Sequence, residues 1–336
     1  MKISVVVPAS NVCESLHRLL LSLNEQKLQP SEIIVVLPRP VKLDKLKEII
    51  LKAEPETRVI ELSKDPGPIR ARVFGGLIAS SPLVAFIDSD CKAPPEWLEK
   101  MVAELTQWNV EVVAGSVNGA NIDNFIARMQ ERSIITPNPK HKYKLLKDDI
   151  GLNLIVTANM LVRKEVLLDD GVVPPSYKRY GFEDLDFAVR LTRNGYKILC
   201  SPTRVLHYNR TSFSAVLKRY YQYGRGLPLF RKRVGKCIYS KVVSMLVYFF
   251  LMILVLTLTL LVYKLIMHAI TAFSLIIVPL LAYHFSKLSD GGWERLIYPL
   301  TDLALATASA IGVLCMEFEL LLNRRHYCIP LQDLRS

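Results

Sequence analysis

Twenty-two consecutive residues, Val242–Tyr263, carry no formal charge. A helix of that length covers about 33 Å, enough to cross the hydrocarbon core of a bilayer. Lys264 alone separates it from a second apolar stretch, Leu265–Phe285, so the two read as a helical hairpin in a membrane. A polar interval, Ser286–Arg295, leads to a third apolar segment, Leu296–Leu314, interrupted by Pro299 and Asp302. Ala304, Ala308 and Gly312 share one face of that segment, as do Ala306 and Ala310. Such spacing either lets membrane helices approach closely or reflects general tolerance of small residues. This end of the chain raises the mean hydropathy to +0.24. The remainder of the 336 residues has the composition of an ordinary α/β protein.

The net charge of +12 is unevenly spread. Thr211–Lys241 holds Lys218, Arg219, Arg225, Arg231, Lys232, Arg233, Lys236 and Lys241 and no acid. A basic run can serve nucleic acid or membrane. Because this one abuts the apolar stretch, it marks the cytoplasmic side and attracts anionic lipid; no nucleic-acid partner is expected. Three full spans would then place Arg324 and Arg325 outside, against the positive-inside rule. Either the third segment lies partly in the interface or the rule is weak at this end. The six cysteines are scattered without paired spacing, which fits a reducing compartment rather than a disulfide framework. Met1-Lys2 leads directly into a strand-like run, which does not read as a signal peptide.

Before residue 212 apolar strands alternate with helices. Ile3–Pro8, Glu32–Leu37, Arg58–Leu62, Leu83–Ile87, Val110–Ala114, Leu154–Val162 and Lys197–Cys200 read as strands. Cys13–Gln26, Lys42–Leu51, Pro68–Ala79, Pro94–Gln107 and Glu183–Asn194 read as helices. Continuous apolar strands with intervening helices indicate a largely parallel sheet covered on both faces. Residues 115–150 are polar and basic, as suits a mobile loop over a site or an insertion.

Asp88-Ser89-Asp90 closes the apolar strand Leu83–Ile87. Carboxylates at i and i+2 of an extended chain point to one side, and strand ends of open α/β sheets open into ligand crevices. Paired carboxylates are hard oxygen ligands, suited to Mg²⁺ or Mn²⁺ carrying a diphosphate. An isolated Asp-x-Asp is more often a solvated turn; its neighbours in the chain decide. Gly67-Pro68-Ile69-Arg70-Ala71-Arg72-Val73-Phe74-Gly75 precedes it. Thr157–Arg163 and Tyr180-Gly181-Phe182-Glu183-Asp184-Leu185-Asp186 follow, the latter running on to Arg190-Leu191.

In that order these segments resemble family 2 glycosyltransferases, together with the opening Ser4–Pro8 and Glu32–Val36. The resemblance covers residues 3–225. It implies a GT-A fold, a Rossmann-like mixed α/β sheet, here followed by C-terminal transmembrane helices. It implies a nucleotide-diphospho-sugar donor and Mn²⁺ or Mg²⁺ as cofactor. By resemblance, Asp184 is the general base, with Glu183 beside it. Asp90 is the metal ligand, Asp88 assists, and His207 in Val205-Leu206-His207 is a third ligand. Pro8, Arg72, Asp88 and Asn159 contact the donor. Asp186, Tyr223 and Arg225 lie on the acceptor side, the last two in an aromatic and arginine segment that equally suits the membrane interface. Arg72 near the diphosphate adds a charge-assisted contact, and adjacent carboxylates at 183, 184 and 186 raise one another's pKa.

Two departures stand out. Val73 replaces the family's usual Asn. Strand Glu32–Leu37 ends in Leu37-Pro38-Arg39-Pro40, where the family has acids that recognise the nucleotide; Arg39 or a backbone group would have to substitute.

The expectation is therefore a metal-dependent inverting glycosyltransferase, multi-pass in the cell membrane, with its catalytic domain cytoplasmic and a lipid-linked or glycan acceptor. The expected organisation is a catalytic domain at 1–211, a basic juxtamembrane segment at 212–241, a membrane domain of two to three helices at 242–322 and a tail at 323–336. The alternative is a catalytically weak nucleotide-sugar-binding scaffold in a glycan-assembly complex. A channel is disfavoured, because the apolar segments carry almost no charge to line a pathway.

Overall fold

A computed structural model describes residues 2–10, 13–38, 57–135, 138–177, 180–287 and 292–322. The expected helix at 42–51, Arg39, Arg324, Arg325 and the tail lie outside the described residues. Two compact units are present: residues 1–122 with 137–209, and residues 123–136 with 210–336.

The first unit is built on one mixed sheet. Its strands are β1 (Ile3–Pro8), β2 (Glu32–Leu37), β3 (Thr57–Glu61), β4 (Leu83–Ile87), β5 (Cys91–Lys92), β6 (Val112–Gly119), β7 (Lys144–Leu146), β8 (Asn159–Arg163) and β9 (Ile198–His207). They run in the order β3-β2-β1-β4-β8-β6-β9-β5, with β7 also paired to β9. β3, β2, β1 and β4 are mutually parallel, and β1, β2 and β4 are buried along almost their whole length. β8 is antiparallel to both neighbours, β4 and β6; residue pattern reports burial and carries no strand direction. β9 extends well beyond the expected Lys197–Cys200, passing Pro202 where its register against β6 shifts between Ala114 and Ser116. A bulge is where a strand tolerates a residue lacking N–H.

Helix α1 (Glu14–Asn24) buries Leu16, Leu19, Leu20 and Leu23, and α3 (Trp97–Gln107) buries Trp97, Leu98, Met101 and Leu105. These side chains meet Val5, Val7, Ile33, Val35 and Ala85 in one core. Helix α2 (Pro68–Ile78) lies close against β1 and β2: a Cβ at Gly75 would stand 2.6 Å from a Val6 methyl.

The second unit is helical. The expected loop at 115–150 instead contains the end of β6, strand β7 and helix α4 (Phe125–Arg132), whose Asn124 side chain caps Ala127 N–H. α4 packs with α6 (Phe213–Val234) and α9 (Glu294–Leu322) around Met129, Val216, Tyr220, Tyr298 and Leu305. Between α6 and α9 in the chain come α7 (Ile238–Val262) and α8 (Ile266–Lys287). α7, α8 and α9 are each long and apolar enough to cross a membrane. The small-residue stripe of α9 does find a partner, which is α6: a Cβ on Gly224 would stand 1.9 Å from the Ser309 carbonyl oxygen, and one on Gly312 2.2 Å from that of Tyr221.

Candidate active site

Helix α5 (Glu183–Arg193) completes the first unit and supplies one wall of the site. The chain enters it through Phe182 at φ 69°, a left-handed conformation costly for a bulky residue. Strain of that kind concentrates at functional sites, and here it turns Glu183 and Asp184 out of the preceding loop. Glu183 is buried and accepts the backbone N–H of Ile69 at 3.2 Å, so its charge faces the positive end of α2. Asp184 accepts from the Thr157 hydroxyl at 2.5 Å.

Arg72 projects from α2, is buried, and pairs with Asp88. Burial opposes its charge. The carboxylates of Asp88, Asp184 and Glu183 overcome that and raise its pKa. Its Nε is buried without a protein partner, which leaves one donor of the guanidinium fork for an anion. The Asp88 pKa is raised, by burial first and then by Asp90 and Asp184, against the lowering effect of Arg72 and His207. These cross-influences place Arg72, Asp88, Asp90, Asp184 and His207 within one electrostatic neighbourhood.

A tight turn after β4, with Cys91 N–H bonded to the Asp88 carbonyl at 3.0 Å, swings Asp90 toward β9. There β5 pairs with the end of β9, Cys91 opposite His207. Tyr208 N–H holds the Asp90 carbonyl at 2.9 Å, and His207 Nε2 lies 3.3 Å from Asp90 Oδ1. His207 Nδ1 meets Asn209 Oδ1 at 3.0 Å. Burial alone would keep that ring neutral, but the Asp90 hydrogen bond and charge, Asn209 and Asp88 raise its pKa to about 9.

Other expected residues sit differently. Asn159 is fully buried and engaged by protein: it accepts from Trp97 Nε1 at 2.8 Å and donates to the carbonyls of Ser116 at 2.8 Å and Thr203 at 3.0 Å. It knits β8 to β6 and β9 and has no free donor for a ligand. Asp186 is also enclosed, accepting from Tyr177 at 2.8 Å and Arg190 at 2.7 Å. Those bonds hold it, fully buried, on the inner face of α5. Pro8 ends β1 beside Val36 of β2. Tyr223 and Arg225 belong to α6 in the second unit, Tyr223 edge-on to Tyr220 and Arg225 paired with Glu319.

Sequence reasoning passed over Asn209 and Asn121. Asn121 Nδ2 donates to the Asn209 carbonyl at 2.9 Å, and Asn209 N–H donates to Asn121 Oδ1 at 2.8 Å. Asn209 thereby stands fixed behind the His207 ring. The signal was available: on an extended chain residue i+2 shares the side of residue i.

Residues 4–171, half of the chain, match the profile of glycosyl transferase family 2. The chain belongs to that family. Glycosyltransferase AglE of Haloferax volcanii is 26% identical over 227 residues, 67% of this chain and 72% of the relative. The mannosyltransferase PcManGT of Pyrobaculum calidifontis, solved with GDP-Man and Mn²⁺, matches at TM-score 0.57 and 16% identity, over 93% of this chain and 87% of that one. TarS 1–349 of S. aureus, solved with UDP-GlcNAc, matches at TM-score 0.51 and 17% identity, over 99% and 95%. Those likenesses establish a GT-A fold. This family 2 glycosyltransferase thus joins a GT-A α/β unit to C-terminal helices long and apolar enough for a membrane.

The donor set around Asp90 is hard to borderline, two carboxylates and an imidazole, and suits Mn²⁺ or Mg²⁺. Among the described residues no three such groups converge as a ready-made metal site. The reason is visible: Asp88 is drawn to Arg72, which leaves Asp90 and His207 as the convergent pair.

Proposed function

We propose that the enzyme transfers a sugar, with inversion, from a nucleotide-diphospho-sugar to an acceptor hydroxyl. The observation that carries this reading is the gathering of Arg72, Asp88, Asp90 and His207 around a helix that presents Asp184. Asp184 acts as the base. It takes the acceptor proton as the oxygen attacks the anomeric carbon, and the bond from that carbon to the diphosphate breaks on the opposite face. Arg72, with its unengaged buried Nε, receives the charge that gathers on the leaving diphosphate. Asp90 and His207 would hold Mn²⁺ or Mg²⁺, with Asp88 assisting; such an ion supplies Lewis-acid neutralisation of the diphosphate. Thr157 orients the base, and the N-terminus of α2 engages Glu183 through the Ile69 N–H.

The acceptor is a lipid-linked or membrane-borne glycan, and the enzyme is a multi-pass protein of the cell membrane with its catalytic unit cytoplasmic. The acid-free basic run between Thr211 and Lys241 supports this, because it immediately precedes the first apolar helix. The absence of an acid at Leu37-Pro38 means that base recognition uses other groups, and the nucleotide is open to assay. A screen of UDP- and GDP-sugars, with and without Mn²⁺, tests the proposal. Metal-dependent binding and turnover of one donor is the expected result; no turnover of any donor by folded protein overturns it.

A further inference from the structure

Length and hydropathy qualify α9 as a third membrane crossing, yet its ion pairs place both of its ends on one side. α6 precedes the first crossing and carries Lys218, Arg219, Arg225, Arg231, Lys232 and Arg233, so it does not itself cross. Everything α6 touches at its charged groups lies on that near side. α7 and α8, joined at Tyr263–Leu265, take the chain across and back. α9 therefore begins on the near side. Glu294 confirms this by pairing with Arg128 at 2.8 Å and Arg132 at 2.5 Å, both on α4, earlier in the chain than any crossing.

A third crossing would carry the other end of α9 to the far side, beside Val262 and Lys264. Instead Glu317 pairs with Arg231 at 2.6 Å and Glu319 with Arg225 at 2.6 Å, both on α6. Glu317 also accepts from the Tyr248 hydroxyl at 2.8 Å, in the first half of α7. From Glu294 to Glu317 is roughly 35 Å of helix, more than the roughly 30 Å hydrocarbon core. A helix anchored at both points to near-side groups cannot run along the membrane normal. The middle of α9 agrees. Ser309 and Gly312 meet Gly224 and Tyr221 backbone to backbone, so a spanning α9 would bring the neighbouring Lys218, Arg219 and Arg225 toward the bilayer midplane, where charge is costliest. Asp302, fully buried, pairs at 2.8 Å with His284 near the end of α8, again on the near side.

We infer that α9 does not cross the membrane. It lies in the interface with α4 and α6, and the described chain crosses twice, through α7 and α8. The surface it offers fits a lipid headgroup and acyl boundary. Leu296, Leu300, Ile311, Leu314, Phe318 and Leu321 are exposed on one face of α9, while its other face packs on protein, the pattern of a helix seated in a bilayer surface. The basic groups of α6 favour anionic lipid there. This topology does not depend on the proposed chemistry.

The full chain with a side-dependent reporter fused before Met1, inserted after Lys264, or fused after Ser336 tests it. The first and last reporters should agree and the middle one should oppose them; a Ser336 reporter that agrees with Lys264 overturns the inference. Nitroxides at Ile311→Cys and Met252→Cys, in liposomes of phosphatidylcholine and phosphatidylglycerol, give an independent reading. The ratio of relaxation by oxygen to relaxation by a water-soluble nickel chelate should be clearly higher at Met252, deep in the hydrocarbon, than at Ile311, near the headgroups. Equal immersion of the two sites also overturns it.

Discussion

Asp184 carries the largest single consequence. With its carboxylate converted to an amide, Asp184→Asn keeps the Thr157 contact and loses the base. Transfer should fall by about 10²–10⁴-fold, with donor binding by calorimetry retained. Asn209 acts one step back. Its Oδ1 accepts from Nδ1–H of His207, which leaves Nε2 to face Asp90. Asn209→Ala should weaken Mn²⁺ affinity about 10–100-fold, read by electron paramagnetic resonance of free Mn²⁺ and independent of turnover. Glu32 serves stability instead. It is buried at the start of β2 and receives Ser4, the Ser80 hydroxyl and N–H, and Arg58. These bonds outweigh the effect of burial and lower its pKa to about 2. A depressed folded pKa means the contribution is complete above the unfolded carboxylate value and is lost as pH falls toward 2. Roughly 3 kcal/mol should vanish over that window, and Glu32→Gln should flatten the acid limb of stability measured by chemical denaturation.

Among the elements, the close crossing of α6 and α9 is the most sensitive. No side chain fits where Gly224 meets Ser309 and Gly312 meets Tyr221. Gly224→Ala forces the helices apart and should cost about 1–3 kcal/mol, seen as a lower melting temperature in detergent, and Gly312→Ala should do the same. The stripe of small residues on α9 was legible in the sequence. Its partner was not, because close approach is a property of two surfaces. β1, β2 and β4 were legible for the opposite reason: strands buried on both faces are apolar at every position, whatever they pack against. α4 escaped notice because eight residues with Arg128, Glu131 and Arg132 read as polar loop until Met129 is seen under Tyr220 and Tyr298. The long α6 was masked by its basic run and by Pro228.

For the whole molecule, the chain passes between its two compact units three times, at 122/123, 136/137 and 209/210. A sequence-based boundary at 211 leaves α4 on the wrong piece. Residues 1–211 expressed alone expose Phe125, Ile126 and Met129, which α6 and α9 otherwise cover. That fragment should associate on size exclusion, and Phe125→Ser with Ile126→Ser should return it to a monomer. The sequence by itself determined the family-like order of Arg72, Asp88, Asp90 and Asp184, the apolar strands and the two charge-free apolar stretches, because each is encoded by residues near one another in the chain. Only the tertiary structure decided that Asn159 and Asp186 are internal, that Asn209 backs His207, and that the arginines of α6 reach the far end of α9. Each of those depends on pairing across dozens of residues, where burial and hydrogen-bond geometry, rather than residue type, select the partner.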